Sequence, residues 1–286
     1  MKHDAAPVAA GRATLADRER VAPAGPGDTR RLGKPERERK QALLWRIGFL
    51  VAAVLLWEFL ARLGVIDPRF ASQPTAIAAS AREIFTDPAV LGAIGETLVA
   101  VIAAFAIGTA IGMLVGVVLG FNRLLRDAYF PIVTVLLGIP KSVFLPIVVL
   151  FFGLGTGAGV AFASLLAFVH VAVNVVAGID MVEKKYYDVA RAYQANAWHR
   201  FTQVIVPGAA PGIFAGLWHG IRNGFVGVVI AQMFVSAAGI GYYVRVYSNN
   251  FQTDEAMALV LAAAILVIAS GAGWGVLEAR LTRWRS

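Results

Sequence analysis

Six apolar runs, each long enough to cross a bilayer, dominate the chain: about residues 43–65, 97–121, 129–152, 159–182, 211–236 and 256–277. A helix needs about 20 mainly apolar residues to span about 30 Å of hydrocarbon. No water there can satisfy backbone polar groups, so such runs fold as helices that pair their own N–H and C=O groups. A chain of 286 residues that is 58% hydrophobic and 15% charged is also too apolar for a soluble domain of this size. The expected fold class is all-α, a polytopic membrane protein with six transmembrane helices.

The net charge of +8 invites a nucleic-acid reading, but its distribution argues against one. Much of the excess lies before the first span, in Arg12, Arg18, Arg20, Arg30, Arg31, Lys34, Arg37, Arg39 and Lys40. That stretch, residues 1–40, has no apolar run and contains PAGPGD, so it is expected to be a disordered, solvated cytoplasmic tail. It does not read as a cleaved signal peptide, because no apolar core follows until about Leu43. Six spans put both termini on one side. Arg123, Arg126, Lys184, Lys185, Arg191, Arg200 and the C-terminal Arg280, Arg283 and Arg285 then fall on the side of the tail, and only Arg62, Arg69, Arg82 and Arg245 fall opposite. Positive residues crowd the cytoplasmic face, so both termini are expected there, in a bacterial inner membrane.

The spans carry few polar groups. Glu58 and Arg62, four apart near the end of the first, suit a helical ion pair. A connector with Pro68, Pro74 and Pro88 follows, in which Thr75–Phe85 reads as an amphipathic interfacial helix. The second span has a small residue at every fourth position: Ala100, Ala104, Gly108, Gly112, Gly116 and Gly120. Such spacing lets two backbones approach closely, so a packing seam is favoured over a hinge. Pro131, Pro140 and Pro146 interrupt the third span, where Lys141 and Ser142 sit; a lysine near mid-span should face a cavity or a partner. His170 and Asn174 share a face of the fourth span, and His219, Arg222 and Asn223 share one of the fifth, with Gln232 on another. Lys141, Ser142, His170, Asn174, Arg222, Asn223 and Gln232 are the candidates for lining a pathway. The competing reading has the two cations bracing the bundle through backbone carbonyls or Glu58.

One polar loop separates the fourth and fifth spans, residues 184–210. Tyr186, Val189, Ala190 and Tyr193 fall at the spacing of one helical face. Asn196 sits where an N-cap would sit for a second helix over 197–206, which Pro207 should stop, with Pro211 opening the next span.

The spacing Asp188-Val189-Ala190, three residues, Gln194, nine residues, then Val204 to Pro207 resembles the cytoplasmic EAA loop of ABC-importer permeases. That pattern is Glu-Ala-Ala, three residues, Gly, nine residues, Ile, any residue, Leu, Pro. The register is kept, with Asp188 for Glu, Val189 for Ala and Gln194 for Gly. Because glutamine takes a left-handed conformation less cheaply than glycine, Asn196 is expected to carry the bend. The segment GIPKSVFLPIVVLFFGLG is similar to that of the nitrate, sulfonate and taurine branch. The resemblance covers about residues 43–285 and implies a permease domain over 41–286. It further implies a homodimer, two ATPase subunits that bind ATP and Mg, an extracytoplasmic substrate-binding protein and surrounding lipid. On this resemblance Tyr186, Asp188, Val189, Ala190, Tyr193, Gln194 and Pro207 form the coupling loop.

No covalent chemistry is expected of the chain itself. Cysteine is absent, and the one Gly-Lys pair, Gly33-Lys34, is followed by proline rather than forming a Walker A loop. No cofactor is expected on this chain. The alternative class is a gradient-driven carrier or channel, which would place ionisable residues in inverted repeats; no repeat joins the two halves.

Overall fold

The computed structural model describes residues 36–67 and 70–281. The expected tail up to residue 35, Pro68, Arg69, Arg283 and Arg285 lie outside them. Two compact units divide the chain after Ala53. The described part of the first is residues 36–53 of helix α1 (Glu36–Arg62), so residues 36–40, expected as tail, are helical.

In the second unit α1 ends with the anticipated ion pair, Arg62 Nε to Glu58 Oε1 at 2.6 Å. Glu58 also accepts from the backbone N–H of Thr75 at 3.1 Å and from its hydroxyl at 2.9 Å. Thr75 lies in the first turn of α2 (Pro74–Ile84), where N–H groups have no helical partner and Gln73 offers no side-chain cap. A carboxylate from another helix thus does the capping, and Glu58 is not the partner of Lys141 or Arg222.

Helix α3 (Pro88–Phe121) starts well before the expected Thr97, because Asp87 and Pro88 are a start signal: the Asp87 carboxylate accepts from Ala89 N at 2.8 Å and Pro88 needs no donor. Asn122 ends α3 and caps α4 (Arg123–Gly138), accepting from Leu125 N at 3.1 Å.

The third apolar run is broken into two helices. A 3-10 turn (Lys141–Phe144) separates α4 from α5 (Leu145–Phe152), and the chain turns by 103° there. Ile139, ahead of Pro140, is extended, as the proline ring demands of its predecessor.

Helix α6 (Thr156–Asp180) is the most buried element and packs against both α3 and α9 (Val206–Phe234). Ala100, Val101 and Ala104 of α3, Ala163 of α6, and Phe225 and Val228 of α9 form one core cluster. Between α6 and α9 lie α7 (Lys184–Ala192), α8 (Ala197–Arg200) and a π turn (Phe201–Ile205).

Pro207 does not stop a helix and Pro211 does not open one: residues 197–234 form a single long helix. The π turn explains the tolerance. There Val206 N–H reaches back five residues to Phe201 O, and the widened turn just ahead of Pro207 accommodates its ring and missing donor. Helices α10 (Ile240–Asn249) and α11 (Thr253–Leu281) complete the described chain. Ile240, Val244, Ala258 and Leu259 pack there with Ile77, Ile84 and Val90. Five helices are long and apolar enough to cross a membrane, and six if the bent α4–α5 pair counts as one span.

Candidate functional site

Two polar regions stand out against this apolar frame. The first is the α7 loop. Its helix ends in a Schellman motif: Gln194 N–H donates to Arg191 O and Ala195 N–H to Ala190 O, both at 2.9 Å. Gln194 takes the left-handed conformation itself, at φ 51. Asn196 is extended (φ −68) and caps α8 instead, accepting from His199 N at 2.8 Å. The bend therefore sits where the family motif has glycine, not at Asn196. Left-handed backbone costs a residue with a Cβ about 1–2 kcal/mol. Gln194→Gly is accordingly expected to slow hydrogen exchange of the Ala195 amide about fivefold, about 1 kcal/mol of local stability; unchanged exchange would show that the turn is unstrained.

The supposed apolar face of α7 is split. Ala190 is buried against the bundle, next to the half-buried Tyr187, whereas Tyr186, Val189 and Tyr193 are 50%, 55% and 84% exposed and Asp188 is exposed beside them. Ala190 thus anchors the helix and cannot be part of an outward contact face. Burial, reinforced by the Asp180 carboxylate, pushes the Tyr187 phenol above its usual value. The Glu183 carboxylate, 2.7 Å from Lys185 Nζ, raises that ammonium in the same direction. Arg126 at the start of α4 grips Asp180 at the end of α6 with two bonds, one of 2.6 Å from Nη1 to Oδ1, so the α3–α4 turn and the α7 loop lie at the same end of the bundle.

The second region lies among the spans, on a partly exposed face. Lys141 Nζ donates to Leu137 O at 3.2 Å, on the last turn of α4. His170 Nδ1 lies 2.8 Å from Leu166 O, Asn174 Nδ2 donates to His170 O at 2.8 Å, and Asn223 Nδ2 donates to His219 O at 2.8 Å. Each side chain binds its own helix one turn back. That leaves the His170 Nε2 and the two amide oxygens pointing onward.

The His170 and His219 rings are 6.3 Å apart between centroids, and the charges of Lys141 and Arg222 reach His170. The 3-10 turn, α6 and α9 so converge in one cationic cluster. Ser142 lies beside Lys141 and is exposed. Arg222 is exposed too and has no hydrogen-bond or ion-pair partner among the described residues.

Gln232 stands apart from this cluster. It is 5% exposed, and its Oε1 accepts from Gly241 N at 3.2 Å and lies 3.0 Å from Thr97 Oγ1. Thr97 accepts from Ile240 N at 2.9 Å, and Glu96 from Gly239 N at 3.1 Å. The N-terminus of α10 is thereby pinned to α3 and α9, and Gly239, at φ 86, leaves no room for a Cβ beside the Gln232 amide.

Gly108, Gly112, Gly116 and Gly120 all face α6. A Cβ would fall 2.6 Å from Ser164 O at Gly108, 2.7 Å from Val171 Cβ at Gly112 and 2.7 Å from Val175 Cβ at Gly116. A second seam went unread. Gly212 and Gly216 of α9 meet Gly178 and Asn174 of α6, and Gly220 meets Val171. The same four-residue spacing, Gly208 through Gly224, carried that signal.

A helical bundle with a broken span, a cationic cluster within it, an exposed helix on a polar loop and no metal-binding group of side chains among the described residues is the membrane-embedded part of a transporter. The chain belongs to the family described as binding-protein-dependent transport system inner membrane component, whose model matches residues 108–283. It is thus an ABC-importer permease subunit, a non-catalytic membrane component whose family works with an ATPase and a substrate-binding protein.

The SsuC aliphatic sulfonates transport permease protein of Bacillus subtilis (strain 168) is 26% identical over 256 residues, 88% of this chain and 91% of that protein. The taurine transport system permease protein TauC of Escherichia coli (strain K12) is 27% identical over 243 residues, 83% of this chain and 88% of its own. An inward-facing MetNI methionine ABC transporter structure shares the fold, with a TM-score of 0.60 at 21% identity, over 69% of this chain and 96% of that one.

Proposed function

We propose that the chain imports a small anionic solute of the sulfonate, taurine or nitrate kind into the cytoplasm as half of a homodimer. The observation that supports this most is Arg222. Twelve residues before the end of α9, about 18 Å along the axis, it is exposed and unpaired on a face with Lys141, His170 and His219 nearby. A guanidinium facing lipid at that depth costs about 2.5–3.5 kcal/mol, so the face must look onto water or another chain. The same face of a second copy would close the pathway and double its positive charge. Lys141, Ser142, His170, Asn174, Arg222 and Asn223 line it; Gln232 braces α10.

Residues 41–286 form the permease domain behind a basic cytoplasmic tail, both termini lying in the cytoplasm. The Arg126–Asp180 contact supports this, since it gathers Arg123, Arg126, Lys184, Lys185, Arg191 and Arg200 at one end. Two ATPase subunits, binding ATP and Mg, dock on the two α7 loops through Tyr186, Asp188, Val189 and Tyr193, an amphipathic helix laid in a groove. Gln194 and Pro207 shape the loop. ATP binding closes the ATPase pair and moves both helices, the pathway opens outward to the binding protein, and hydrolysis resets it.

In vesicles holding the whole complex, Lys141→Ala and Arg222→Ala are each expected to lower anion uptake about tenfold or more with assembly intact, and Arg222→Lys to recover part of it. Unchanged uptake in the alanine variants would sink the pathway role.

A further inference from the structure

We infer that a cleft beside the α7 loop is a binding site for one acidic phospholipid. The cleft has a volume of about 880 Å³. Its floor is apolar, formed by Val117 and Phe121 from the last turn of α3 and by Ile205 from the π turn; its rim carries Arg191, Trp198 and Arg200. Phe201 ties floor to rim, 5.8 Å from the Phe121 ring and 6.1 Å from Trp198.

Three observations point to this occupant. The floor belongs to the last turn of one apolar span and the foot of another, and the rim to the polar loop beside them, so apolar and cationic surfaces adjoin in one cleft. Trp198 is 69% exposed there, as tryptophans are where one edge of the ring is apolar and the other wet. Arg126 is paired with Asp180 and Lys185 with Glu183, whereas Arg191 and Arg200 at the cleft, like Lys184 at the start of α7, have no hydrogen-bond or ion-pair partner among the described residues. Two unpaired guanidinium groups over an apolar trough match a phosphodiester with its chains, and basic pockets between membrane helices take anionic headgroups in this way.

The site is also separate from the proposed ATPase contact. At 3.6 residues per turn, Tyr187 and Arg191 lie about 100° or more around α7 from Tyr186, Val189 and Tyr193, with Asp188 between the two sets. One helix can therefore hold a soluble partner on one face and a lipid on the other.

Native mass spectrometry of the full complex, released from bilayers of equal phosphatidylglycerol and phosphatidylcholine, tests the proposal. Wild type is expected to retain phosphatidylglycerol preferentially, unmoved by added inorganic phosphate, and Arg191→Ala with Arg200→Ala to lose about 30-fold in affinity. That corresponds to about 1 kcal/mol per arginine at about 1.4 kcal/mol per tenfold. Arg82→Ala with Arg245→Ala, at the other end of the molecule, should retain it. A second reading needs no arginine change: brominated phosphatidylglycerol should quench wild type more than Trp198→Phe, and brominated phosphatidylcholine should quench both alike. Equal retention of both lipids by wild type, undiminished retention by the Arg191/Arg200 variant, displacement by phosphate, or loss of the lipid when the ATPase or a second copy assembles would each overturn it.

Discussion

A permease carrying Val189→Arg and Tyr193→Arg is expected to insert and fold as wild type does, yet to co-purify with no ATPase and import nothing measurable. Both side chains are more than half exposed, so neither change removes a core contact. Each puts a long charged group where an apolar one would enter the partner's groove. Central apolar contacts of this kind cost about 2–4 kcal/mol apiece when disrupted, so two together lower affinity by a factor of 10³ or more. Ala190→Arg should behave differently. Its 7% exposed methyl faces the bundle, so a guanidinium there unseats α7 and lowers the permease's own stability. Co-purification with a tagged permease, alongside its size-exclusion profile, separates the cases. Retention of the ATPase by the double arginine variant would remove α7 as the docking element.

Gly212→Val is expected to leave no folded permease. A Cβ at Gly212 would lie 2.4 Å from Gly178 Cα, 2.8 Å from Gly178 N and 2.9 Å from Asn174 O. All three are backbone atoms of α6, so relief requires parting the two most extensively packed helices of the bundle. Overpacking usually costs about 1–3 kcal/mol where side chains can give way; here none can, and the loss exceeds that range. The glycines form a graded series around this case. At Gly120 the nearest atom is Ile179 Cδ1, a mobile tip, so alanine should cost little, and at Gly92 and Gly95 nothing lies within 4 Å. Alanine at these last two, in the interior of α3, should raise helix stability by up to about 1 kcal/mol. Thermal aggregation midpoints in detergent should follow that order; a folded Gly212→Val variant would mean the α6–α9 contact is looser than described.

The apolar runs, the glycine spacing of α3, the cap at Asn196 and the Glu58–Arg62 pair were all legible in the sequence, because each is a local pattern: one period, one cap, one turn of helix. What escaped was decided by chain far away. Pro207 reads as a stop until a π turn upstream makes room for it. Gln194 reads as a poor left-handed residue, yet two Schellman bonds and the buried Ala190 hold it there. Gln232, polar and in a span, looks like a pathway residue, and only the position of Thr97, 135 residues earlier, shows that it is occupied. The convergence of Lys141, His170, His219 and Arg222 was half visible. Lys141 and Arg222 stood out as charges in a span, and the two histidines only as polar groups sharing a helix face with other polar residues. The place of Lys141 beside them, however, depends on the 103° turn between α4 and α5.

The uninterrupted helix from Ala197 to Phe234 has a mechanical meaning. At about 1.5 Å per residue its 38 residues make a rod of about 57 Å, nearly twice the hydrocarbon thickness. Four residues separate it from α7, and it carries His219 and Arg222 in its second half, so under the proposed coupling a push on the loop would cross only the π turn on its way to the cationic cluster. The opposite wall, α4 and α5, is hinged at the level of Lys141. A stiff piston sliding past a jointed plate would open and shut the space between them by changing the plate's angle, with the π turn at the piston's foot as the one washer that can compress.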